Sequence, residues 1–383
     1  MAKVLLVDTN FASAPIYSVI KSLGHAVHVI GRNPNDTLAK SAERYWNIDY
    51  SDTTALSSLI ANEGFDYLVP GCTDRSYKSC AFVSQGCFPG IETPDVESGL
   101  HNKEQFRTLA GKLNLPIPEM QDNDSKSLDY PVIIKPVNSF SGRGITVIRN
   151  SNKKLFDSAI ELARKTSPTE EYLIERFISG DLYSHSAFLK NQTAVKNFFV
   201  KEDSTANSFV VDTSRVIYNP PPEMRRQTIN AVEKLANYLK LKDGLIHSQF
   251  IWDGVTIHLI DRNRRIPGDL YSRLIELSTG YPYVENYVRP FLGMPYKDVE
   301  EDDTLVPIMR HTVSVSKKQN FNHISFKESL FLESWVALSS VGDQIEPSPD
   351  GSIGILFARA KSQTELLSLY EATIRRQLYE VIG

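Results

Sequence analysis

The chain has 383 residues, of which 41% are hydrophobic and 23% are charged, and its formal net charge is −4. A chain of this size can form two or three domains that each bury a core. The slightly acidic charge gives no indication of nucleic-acid binding. No apolar run reaches the roughly 18 residues that a membrane-spanning helix needs. We therefore expect neither nucleic acid nor a membrane as a partner.

The amino-terminal stretch and the cysteines bear on the cellular compartment. MAKVLLVDTN has the pattern of a strand followed at once by Asp8, without the apolar segment of a signal peptide. Cys72, Cys80 and Cys87 have neither CxxC spacing nor an even count. We expect a cytoplasmic protein with reduced thiols and without a structural zinc site.

Residues 1–95 alternate between strand and helix patterns. The predicted elements are strands Lys3–Asp8, Ala26–Ile30 and Tyr67–Pro70 and helices Ala14–Leu23 and Ala55–Asn62. Strands and helices of this length predict an open parallel sheet with helices on its faces. The first turn, residues 8–13, has no glycine to admit a dinucleotide pyrophosphate, so we exclude NAD as a cofactor.

Three polar residues lie near the predicted carboxyl ends of these strands: Asp8, Asp74 and Arg75. Ligands bind at that edge of an open α/β sheet, which makes these residues candidates for a binding site. The alternative is that they are ordinary turn and cap residues.

After residue 100 the patterns change to longer helices and paired strands. The predicted helices are His101–Leu113, Ser151–Lys165, Glu223–Leu241, Leu270–Thr279, Val284–Leu292 and Glu365–Tyr379. The predicted strands are Tyr172–Phe177, Ser184–Leu189, Ala194–Val200, Phe209–Ile217, His311–Ser316 and Trp335–Ser339, with hairpins over Gly244–Asp261 and Gln344–Ile353.

The segment VIIKPVNSFSGRGITV, residues 132–147, has the pattern strand, glycine-rich loop, strand. Gly142 and Gly144 let the backbone approach a ligand and direct N–H groups at it, and Lys135 adds a positive charge. That combination suits a polyphosphate. The alternative is an ordinary hairpin with an exposed lysine. The loop is neither a Walker loop nor a dinucleotide fingerprint, because it leads into a strand.

The hairpin at residues 244–263 carries a second polar group. Side chains alternate faces along a strand, so Gln249 and Asp261 can face the same way, with Asn263 beside Asp261. A carboxylate and two amide oxygens, completed by phosphate oxygens, suit Mg²⁺. The alternative is a polar face in solvent. His247 is a further candidate in this hairpin, although a single histidine is more often structural.

At this point the chain resembles the ATP-grasp superfamily, in particular the carboxylate–amine ligase branch with its L-amino acid ligases and its carbamoyl-phosphate-synthase- and biotin-carboxylase-like members. The resemblance covers almost the whole chain in family order. It rests on Asn102-Lys103 with Phe106, IIKPVNSFSGRG, IERFISGD, GLIHSQFIWDGVTIHLIDRNRRIPGD and the tail VGDQIEPSPDGSIGILFARAKSQTEL.

The resemblance implies a mixed α/β and α+β fold in three parts. Residues 1–95 form the open parallel α/β domain that precedes the ATP-grasp domain. Residues 96–300 form the ATP-grasp domain of two α+β subdomains, with a central helix region, a lid at about residues 130–180 and a metal and substrate core at about residues 181–300. Residues 301–383 form a small β-rich subdomain that closes the site.

The resemblance also implies the cofactors and the role of each site residue. The cofactors are ATP and Mg²⁺, with Mn²⁺ as the alternative metal. The residues implied to bind ATP are Lys103, Lys135, Ser141, Gly142, Gly144, Glu175, Phe177, Ile178 and Asp181. The implied metal ligands are Gln249, Asp261 and Asn263, the substrate residues Arg265, Gly268 and His247, and the catalytic residues Arg265 and Lys135.

The sequence departs from the family pattern at three of these positions. Gln249 stands where many members have glutamate, and Asp261 is one methylene shorter than the usual glutamate. Leu182 stands where a glutamate usually binds ribose, with Asp181 adjacent. The first two departures leave one fewer negative charge for the metal.

The function implied is an ADP-forming ligase that joins a small carboxylate, an amino acid among the candidates, to an amine through an acyl phosphate. Two alternatives stay open: a phosphotransferase or carboxylase-like relative, and a non-catalytic nucleotide-binding module with a degenerate metal site. The partners expected are two small-molecule substrates, and a homodimer is compatible with the resemblance. The sequence does not identify either substrate, because such pockets are built from variable loops.

Overall fold

The computed structural model describes residues 1–123, 127–138, 142–298 and 305–383. The strands are β1 Lys3–Val7, β2 Ala26–Ile30, β3 Tyr45–Trp46, β4 Tyr67–Pro70, β5 Val132–Pro136, β6 Thr146–Ile148, β7 Tyr172–Arg176, β8 Asp181–Lys190, β9 Thr193–Asp203, β10 Thr213–Val216, β11 Gly244–Trp252, β12 Ile257–Asn263, β13 Ile308–Val313, β14 Gln319–Asn320, β15 His323–Phe326, β16 Phe331–Ala337, β17 Gln344–Ile345, β18 Gly354–Arg359 and β19 Tyr379–Ile382. The helices are α1 Ala14–Ser22, α2 Thr37–Ser41, α3 Thr53–Glu63, α4 Asp74–Ser84, α5 Pro94–His101, α6 Lys103–Lys112, α7 Lys153–Thr166, α8 Pro222–Leu239, α9 Tyr271–Thr279, α10 Tyr283–Val288 and α11 Gln363–Ile374, with 3-10 turns at Phe11–Ser13 and Arg289–Leu292.

The amino-terminal part is a four-stranded parallel sheet in the order β3-β2-β1-β4. Two of its helices, α3 and α4, begin at side-chain caps, because the first N–H groups of a helix have no partner within it. Asp52 accepts hydrogen bonds from the second and third residues of α3, and Thr73 accepts one in α4. The predicted open parallel α/β unit is confirmed.

A second unit consists of the antiparallel sheet β6-β5-β7 with α7 packed against it. Val132 and Ile134 of β5 and Ile148 of β6 are fully buried against Phe156 and Ala159 of α7. These are the alternate positions of β5, so one face of the sheet is apolar. The unit lies within the range predicted for the lid.

The largest sheet has eight strands in the order β12-β11-β8-β9-β10-β13-β18-β16, with every neighbouring pair antiparallel. Strands β13, β18 and β16 come from the part of the chain that the sequence assigned to a closing subdomain. The sheet therefore runs without a break across the predicted boundary at residue 300. Two small ladders, β14-β17 and β15-β19, follow in that carboxyl-terminal part.

The two faces of this sheet pack against different parts of the chain, because alternate side chains point to opposite faces. On one face, Ile246 and Phe250 of β11 meet α5, α6 and α8. On the other, Leu245 of β11 and Phe188 of β8 share a core with the amino-terminal sheet, α9 and α10. The second face therefore carries the junction between the amino-terminal unit and the large sheet.

Several elements differ from the sequence prediction. The hairpin predicted over Gln344–Ile353 is wrong: β17 pairs with β14, while β18 begins at Gly354 and pairs with β13 and β16. Residues 350–351 favour a turn, but a turn signal depends only on neighbouring residues. The strand with which each segment pairs depends on residues that are distant in the sequence. The last helix ends at Ile374, and Arg376 has a left-handed φ of 57° before the chain enters β19. The strand predicted from Phe209 begins only at Thr213.

Among the described residues, no helix has both the length and the apolar character needed to cross a lipid bilayer.

We expect Phe188→Ala to be strongly destabilising. Phe188 is fully buried, and its ring contacts the rings of Phe198, Tyr281, Tyr283 and Tyr296. Truncating a buried phenylalanine removes apolar contacts and leaves a cavity, at a cost of about 3–5 kcal/mol. Urea denaturation followed by fluorescence should show this loss in the free energy of unfolding.

The matched control is Phe82→Ala, because Phe82 is 51% exposed. It should change the free energy of unfolding by less than about 1 kcal/mol. Equal effects of the two substitutions would contradict the packing described for this junction.

Candidate active site

A cluster of charged side chains joins α6 to the three-stranded sheet. Asn102 caps α6, which places Lys103 at its first position, and Lys103 Nζ donates to the Val137 carbonyl at 2.9 Å. Lys135 Nζ of β5 lies 2.5 Å from Glu175 Oε2 of β7. Burial lowers the pKa of Lys135 to about 8, against the opposing effect of Glu175. The two lysines predicted to bind phosphate therefore both lie where α6 meets the three-stranded sheet.

Arg107 is a member of this cluster that the sequence analysis missed. Its Nε lies 2.6 Å from Glu175 Oε1, and its Nη1 donates to the Leu259 carbonyl of β12 at 3.3 Å. Burial acts to raise the pKa of Glu175, but Lys135 and Arg107 overcome it and hold that pKa below its usual range. A helical arginine four residues after Lys103 was the available signal, since residues at that spacing share a helix face.

The hinge that follows Glu175 is held by its own backbone. Phe177 N–H donates to the Pro131 carbonyl at 2.9 Å. Ile178 is half-buried, and Asp181 is exposed at the start of β8, with its carboxylate 3.6 Å from Lys201 Nζ. Both carboxylate oxygens of Glu175 are engaged by cations, so any adenine contact by this segment falls to other atoms. The adenine roles of these residues stay predictions.

The oxygen donors predicted for a metal lie on the paired strands β11 and β12. Gln249 stands opposite Asp261, and His247 stands opposite Asn263. Asn263 is buried, and its Oδ1 has no hydrogen-bond partner among the described residues. Asp261 is half-buried and acts electrostatically on Lys103, raising that pKa against the larger lowering effect of burial. The oxygen donors predicted to bind a metal therefore lie near Lys103, one of the two lysines predicted to bind phosphate.

Glu202 of β9 is a second residue that the sequence analysis missed. Gln249 Nε2 donates to Glu202 Oε2 at 2.7 Å, so the acceptor oxygen of this amide is directed away from Glu202. Glu202 is 3% exposed, and burial raises its pKa to about 7. The predicted strand stopped at Val200, although Glu202 continues the inward alternation of Phe198 and Val200.

These donors fit a hard cation. One carboxylate, from Asp261, and two amide oxygens, from Asn263 and Gln249, match the oxygen ligands that Mg²⁺ takes together with phosphate and water. The unpartnered Oδ1 of Asn263 is a buried polar atom that needs a partner. The described part of the chain has no cluster of three His, Cys, Asp or Glu side chains suited to a metal. The amide oxygens therefore make up most of this set.

Arg265 follows β12 and meets the amino-terminal sheet. Its Nε lies 2.7 Å from Asp74 Oδ1, at the first position of α4. Gly268 lies beside the same part of the chain, since a Cβ there would sit 3.3 Å from the Cys72 carbonyl. The structure thus brings the predicted substrate residues Arg265 and Gly268 to the carboxyl-terminal edge of the parallel sheet.

His247 and Asp8, two further candidates from the sequence, have the surroundings of structural residues. His247 is 4% exposed, its Nδ1 lies 2.9 Å from the Ser186 hydroxyl, and burial lowers its pKa to about 3. This is a neutral core histidine, which does not support the substrate contact predicted for it. Asp8 accepts hydrogen bonds from the backbone N–H groups of Thr9 and Cys72 and from the Ser13 hydroxyl, which makes it a buried turn residue.

Arg310 of β13 is a buried cation that contacts Asp269, the residue after Gly268. It is 1% exposed, and its Nε donates to the Asp269 carbonyl at 2.6 Å. Its Nη2 lies 3.1 Å from Asp269 Oδ2. The sequence analysis missed it because β13 was assigned to a separate subdomain.

The glycine loop makes two contacts outside its own sheet. Gly142 has a φ of 66°, and a Cβ there would lie 2.7 Å from the Phe209 carbonyl oxygen. Arg143 Nη2 lies 2.5 Å from Asp350 Oδ1. Gly144 also has a positive φ, of 75°. The predicted phosphate contact of Ser141 lies outside the described residues.

Residues 128–272 match the ATP-grasp domain family. The matched segment contains the three-stranded sheet with its glycine loop and the paired strands β11 and β12.

Curated relatives match part of the chain. Formate-dependent phosphoribosylglycinamide formyltransferase of Histophilus somni is 27% identical over 190 residues, which is 47% of this chain and 48% of that protein. The arginine-specific large chain of carbamoyl phosphate synthase of Bacillus subtilis is 25% identical over 53% of this chain and 21% of that protein. The chain spans about half the length of the formyltransferases that it matches, and less of the synthase.

Solved structures match over the full chain. L-amino acid ligase from Bacillus licheniformis superposes with a TM-score of 0.81 at 16% identity, over 100% of this chain and 98% of that one. Phosphoribosylglycinamide synthetase from Anaerococcus prevotii superposes with a TM-score of 0.75 at 15% identity, over 100% and 99%. These similarities establish the fold.

Glu202 should make the stability of the protein pH-dependent. Its folded-state pKa of about 7 lies above its ordinary 4.5. Between those values the folded state binds more protons than the unfolded state, so this carboxyl lowers stability as pH rises through that window. Glu202→Gln keeps an acceptor for Gln249 but cannot ionise. Relative to this variant, the wild type should lose up to about 3 kcal/mol of unfolding free energy between about pH 5 and about pH 8.

Urea denaturation at both pH values measures the effect. Glu161→Gln is the control, because Glu161 is exposed on α7, and its pH profile should follow the wild type. A Glu202→Gln profile parallel to the wild type would show that Glu202 does not titrate in this window.

Proposed function

We propose that this chain is an ATP-dependent ligase that joins a small carboxylic acid to an amine through an acyl phosphate and releases ADP and phosphate. The observation that carries the proposal is the succession of Asp261, Asn263 and Arg265 on one edge of the large sheet. In this succession, oxygen donors suited to a metal come directly before an arginine that meets the carboxyl-terminal edge of a parallel sheet, where such sheets bind ligands. A nucleotide phosphate and a carboxylate would meet there.

The charge around this edge supports a polyphosphate ligand. Lys103, Lys135 and Arg107 are cations from α6 and β5, and Glu175 is the carboxylate that two of them share. The excess of positive charge suits the triphosphate of ATP, since charge-assisted hydrogen bonds to phosphate are among the strongest available to a protein. The glycine loop adds backbone N–H donors to the same region.

The metal ligands proposed are Asp261, Asn263 and Gln249. When bound, Mg²⁺ supplies neutralisation of the charge on the transferred phosphoryl group. Glu202 orients Gln249 through its amide N–H group, which fits the way that outer carboxylates orient metal ligands. This arrangement favours a working site over a degenerate one, because the hydrogen bond to Glu202 fixes the Gln249 amide with its oxygen directed away from Glu202.

The reaction proposed needs no protein nucleophile. A carboxylate oxygen of the acid bonds to the γ-phosphorus of ATP, and the bond between that phosphorus and the ADP oxygen breaks. The amine then bonds to the acyl carbon, phosphate leaves with the electron pair, and the amine nitrogen loses a proton. Arg265 holds the acid by its planar guanidinium, and Lys103 and Lys135 orient the phosphates, so catalysis rests on positioning and electrostatics.

The names of the relatives support an amine as acceptor, because one is a formyltransferase of phosphoribosylglycinamide and another an L-amino acid ligase. A carboxylase-like or phosphotransferase activity is the alternative for the same ATP site. It differs in the acceptor and therefore in which substrates stimulate ADP release.

ADP release with a panel of acids and amines should test this proposal. We expect release to rise only when an acid and an amine are both present, since acyl phosphate accumulates without turnover if the amine is missing. Hydroxylamine should substitute for the amine and yield a hydroxamate. Full stimulation by a single acceptor would indicate a phosphotransferase, and ATP binding without release would indicate a binding module; either result overturns the proposal.

Asp261→Asn should separate turnover from nucleotide binding. The substitution removes the carboxylate among the proposed metal ligands and nearly keeps its shape, so turnover should fall at least ~10²-fold, the scale of one preorganised electrostatic contact. The affinity for ATP, measured by calorimetry, should fall less, because the lysines and the hinge are unchanged. Asp157→Asn, on the exposed side of α7, is the matched control. Wild-type turnover in Asp261→Asn would remove Asp261 from the metal site.

A further inference from the structure

The guanidinium group of Arg265, the proposed substrate arginine, is held by the protein at two of its three nitrogens. Nε lies 2.7 Å from Asp74 Oδ1, and Nη1 donates to the Ile266 carbonyl at 3.2 Å. Within the described ranges of the chain, Nη2 makes no hydrogen bond. Each terminal nitrogen carries two hydrogens, so Nη1 can still donate a second one beside Nη2. Asp74 thus engages the Nε side and leaves the fork formed by Nη1 and Nη2 for a ligand.

Asp74 is itself anchored in the amino-terminal unit. It is the first residue of α4, and the side chain of Thr73 caps that helix. His101 Nε2 lies 3.8 Å from Asp74 Oδ1 and has no hydrogen-bond partner among the residues that the structure describes. The other nitrogen of that ring, Nδ1, lies 3.0 Å from the carboxylate of Glu97, which is buried. The helix end fixes the backbone of Asp74, and a tethered histidine lies beside its carboxylate.

An arginine that binds a reacting group gains from being fixed beforehand. Its long side chain loses rotamer freedom when it binds, and a carboxylate on Nε removes part of that freedom in advance. The acid oxygen must also meet the γ-phosphorus in line, and a displacement of about 1 Å can lower the rate ~10²-fold. The contact that fixes Arg265 spans 191 residues and joins the large sheet to the amino-terminal sheet. The orientation of this guanidinium group therefore depends on both units.

We propose that Asp74 is a positioning residue, which fixes the Arg265 guanidinium group so that Nη1 and Nη2 face the carboxylate of the acid substrate. Asp74 acts through Arg265, and the substrate does not displace it. The inference rests on the proposed function and adds a residue of the amino-terminal unit to its active site. Because Arg265 follows β12 and Asp74 begins α4, the two units form the acid site only together.

A double-mutant cycle tests whether Asp74 acts through Arg265. The full chain is prepared as wild type, Asp74→Ala, Arg265→Lys and the double variant, since lysine keeps the charge but has no Nε–H group for Asp74. ADP release is measured with ATP, with hydroxylamine as the amine, and with the acid that gives the wild type its highest kcat/KM. The acid and ATP are each varied in turn, so that both KM values are obtained.

Asp74→Ala should lower kcat/KM for the acid ~10- to ~10²-fold, because Arg265 loses its fixed orientation. KM for ATP should stay within about 2-fold of the wild type, and in the Arg265→Lys background the same substitution should change kcat/KM for the acid less than ~3-fold. Asp74→Asn keeps an oxygen that accepts from Nε. Its kcat/KM should exceed that of Asp74→Ala at least ~3-fold, about what one hydrogen bond contributes, whatever activity Arg265→Lys retains.

Asp49→Ala is the matched control, because it removes a 3.2 Å contact to Arg32 in the same unit. It should leave kcat/KM for the acid unchanged, and thermal unfolding shows whether each variant keeps its fold.

The outcomes separate this inference from the proposed function. Equal losses from Asp74→Ala in both backgrounds, or equal activity of Asp74→Ala and Asp74→Asn, would show that the contact is only a strap between two units. A rise in KM for ATP as large as that for the acid would also overturn the inference, since Asp74 would then act on the nucleotide. These results leave the proposed function intact. Failure of every acid to stimulate ADP release by the wild type would overturn the proposed function and the inference together.

Discussion

The structure depends on one buried group of charges, formed by Glu175, Lys135 and Arg107. Arg107 lies in α6 and reaches Glu175 of β7 across 68 residues and the Leu259 carbonyl of β12 across 152 residues. The same carboxylate holds Lys135 of β5. These contacts tie the glycine-loop sheet to the edge of the large sheet. In a low-dielectric interior each charge needs the others, because removal of one leaves the rest uncompensated. This group therefore holds the two sheets in their positions relative to each other.

The large sheet places chemistry from distant parts of the chain on one surface. Asp261 and Gln249 stand opposite each other on β12 and β11, and Ser184 of β8 stands opposite Gln249. Glu202 of β9 lies two residues beyond Val200, the β9 partner of Ser184, and its amide partner Gln249 reaches it at 2.7 Å. Glu202 and Arg310 of β13 both pair with Ser214 of β10. The amide of Gln249, proposed as a metal ligand, is thus accompanied by a carboxylate two strands away.

Much of the fold and part of the site were predictable from sequence, because their causes are local. The alternation of strands and helices over residues 1–95 predicts the parallel sheet, and it is confirmed. The glycine loop requires positive φ at Gly142 and Gly144, which short-range sterics dictate. The hairpin of β11 and β12 follows from alternation and a turn at Asp253-Gly254, so Gln249 and Asp261 stand opposite each other as expected. Each of these features depends on residues close to it in the sequence.

The tertiary structure alone decided which distant side chains meet. Sequence indicated that Asp74 lies near a ligand-binding edge, and the resemblance implied a substrate role for Arg265, but their contact spans 191 residues and depends on how two sheets pack. Arg107 and Glu202 were missed for the same reason, since an arginine in a helix and a glutamate at a strand end look like surface residues until their burial is known. The hairpin predicted over Gln344–Ile353 failed because strand partners are selected by the burial of a whole face rather than by the turn between them. Local backbone geometry is determined by neighbouring residues. The pairing of buried charges depends instead on the packed core that removes them from water.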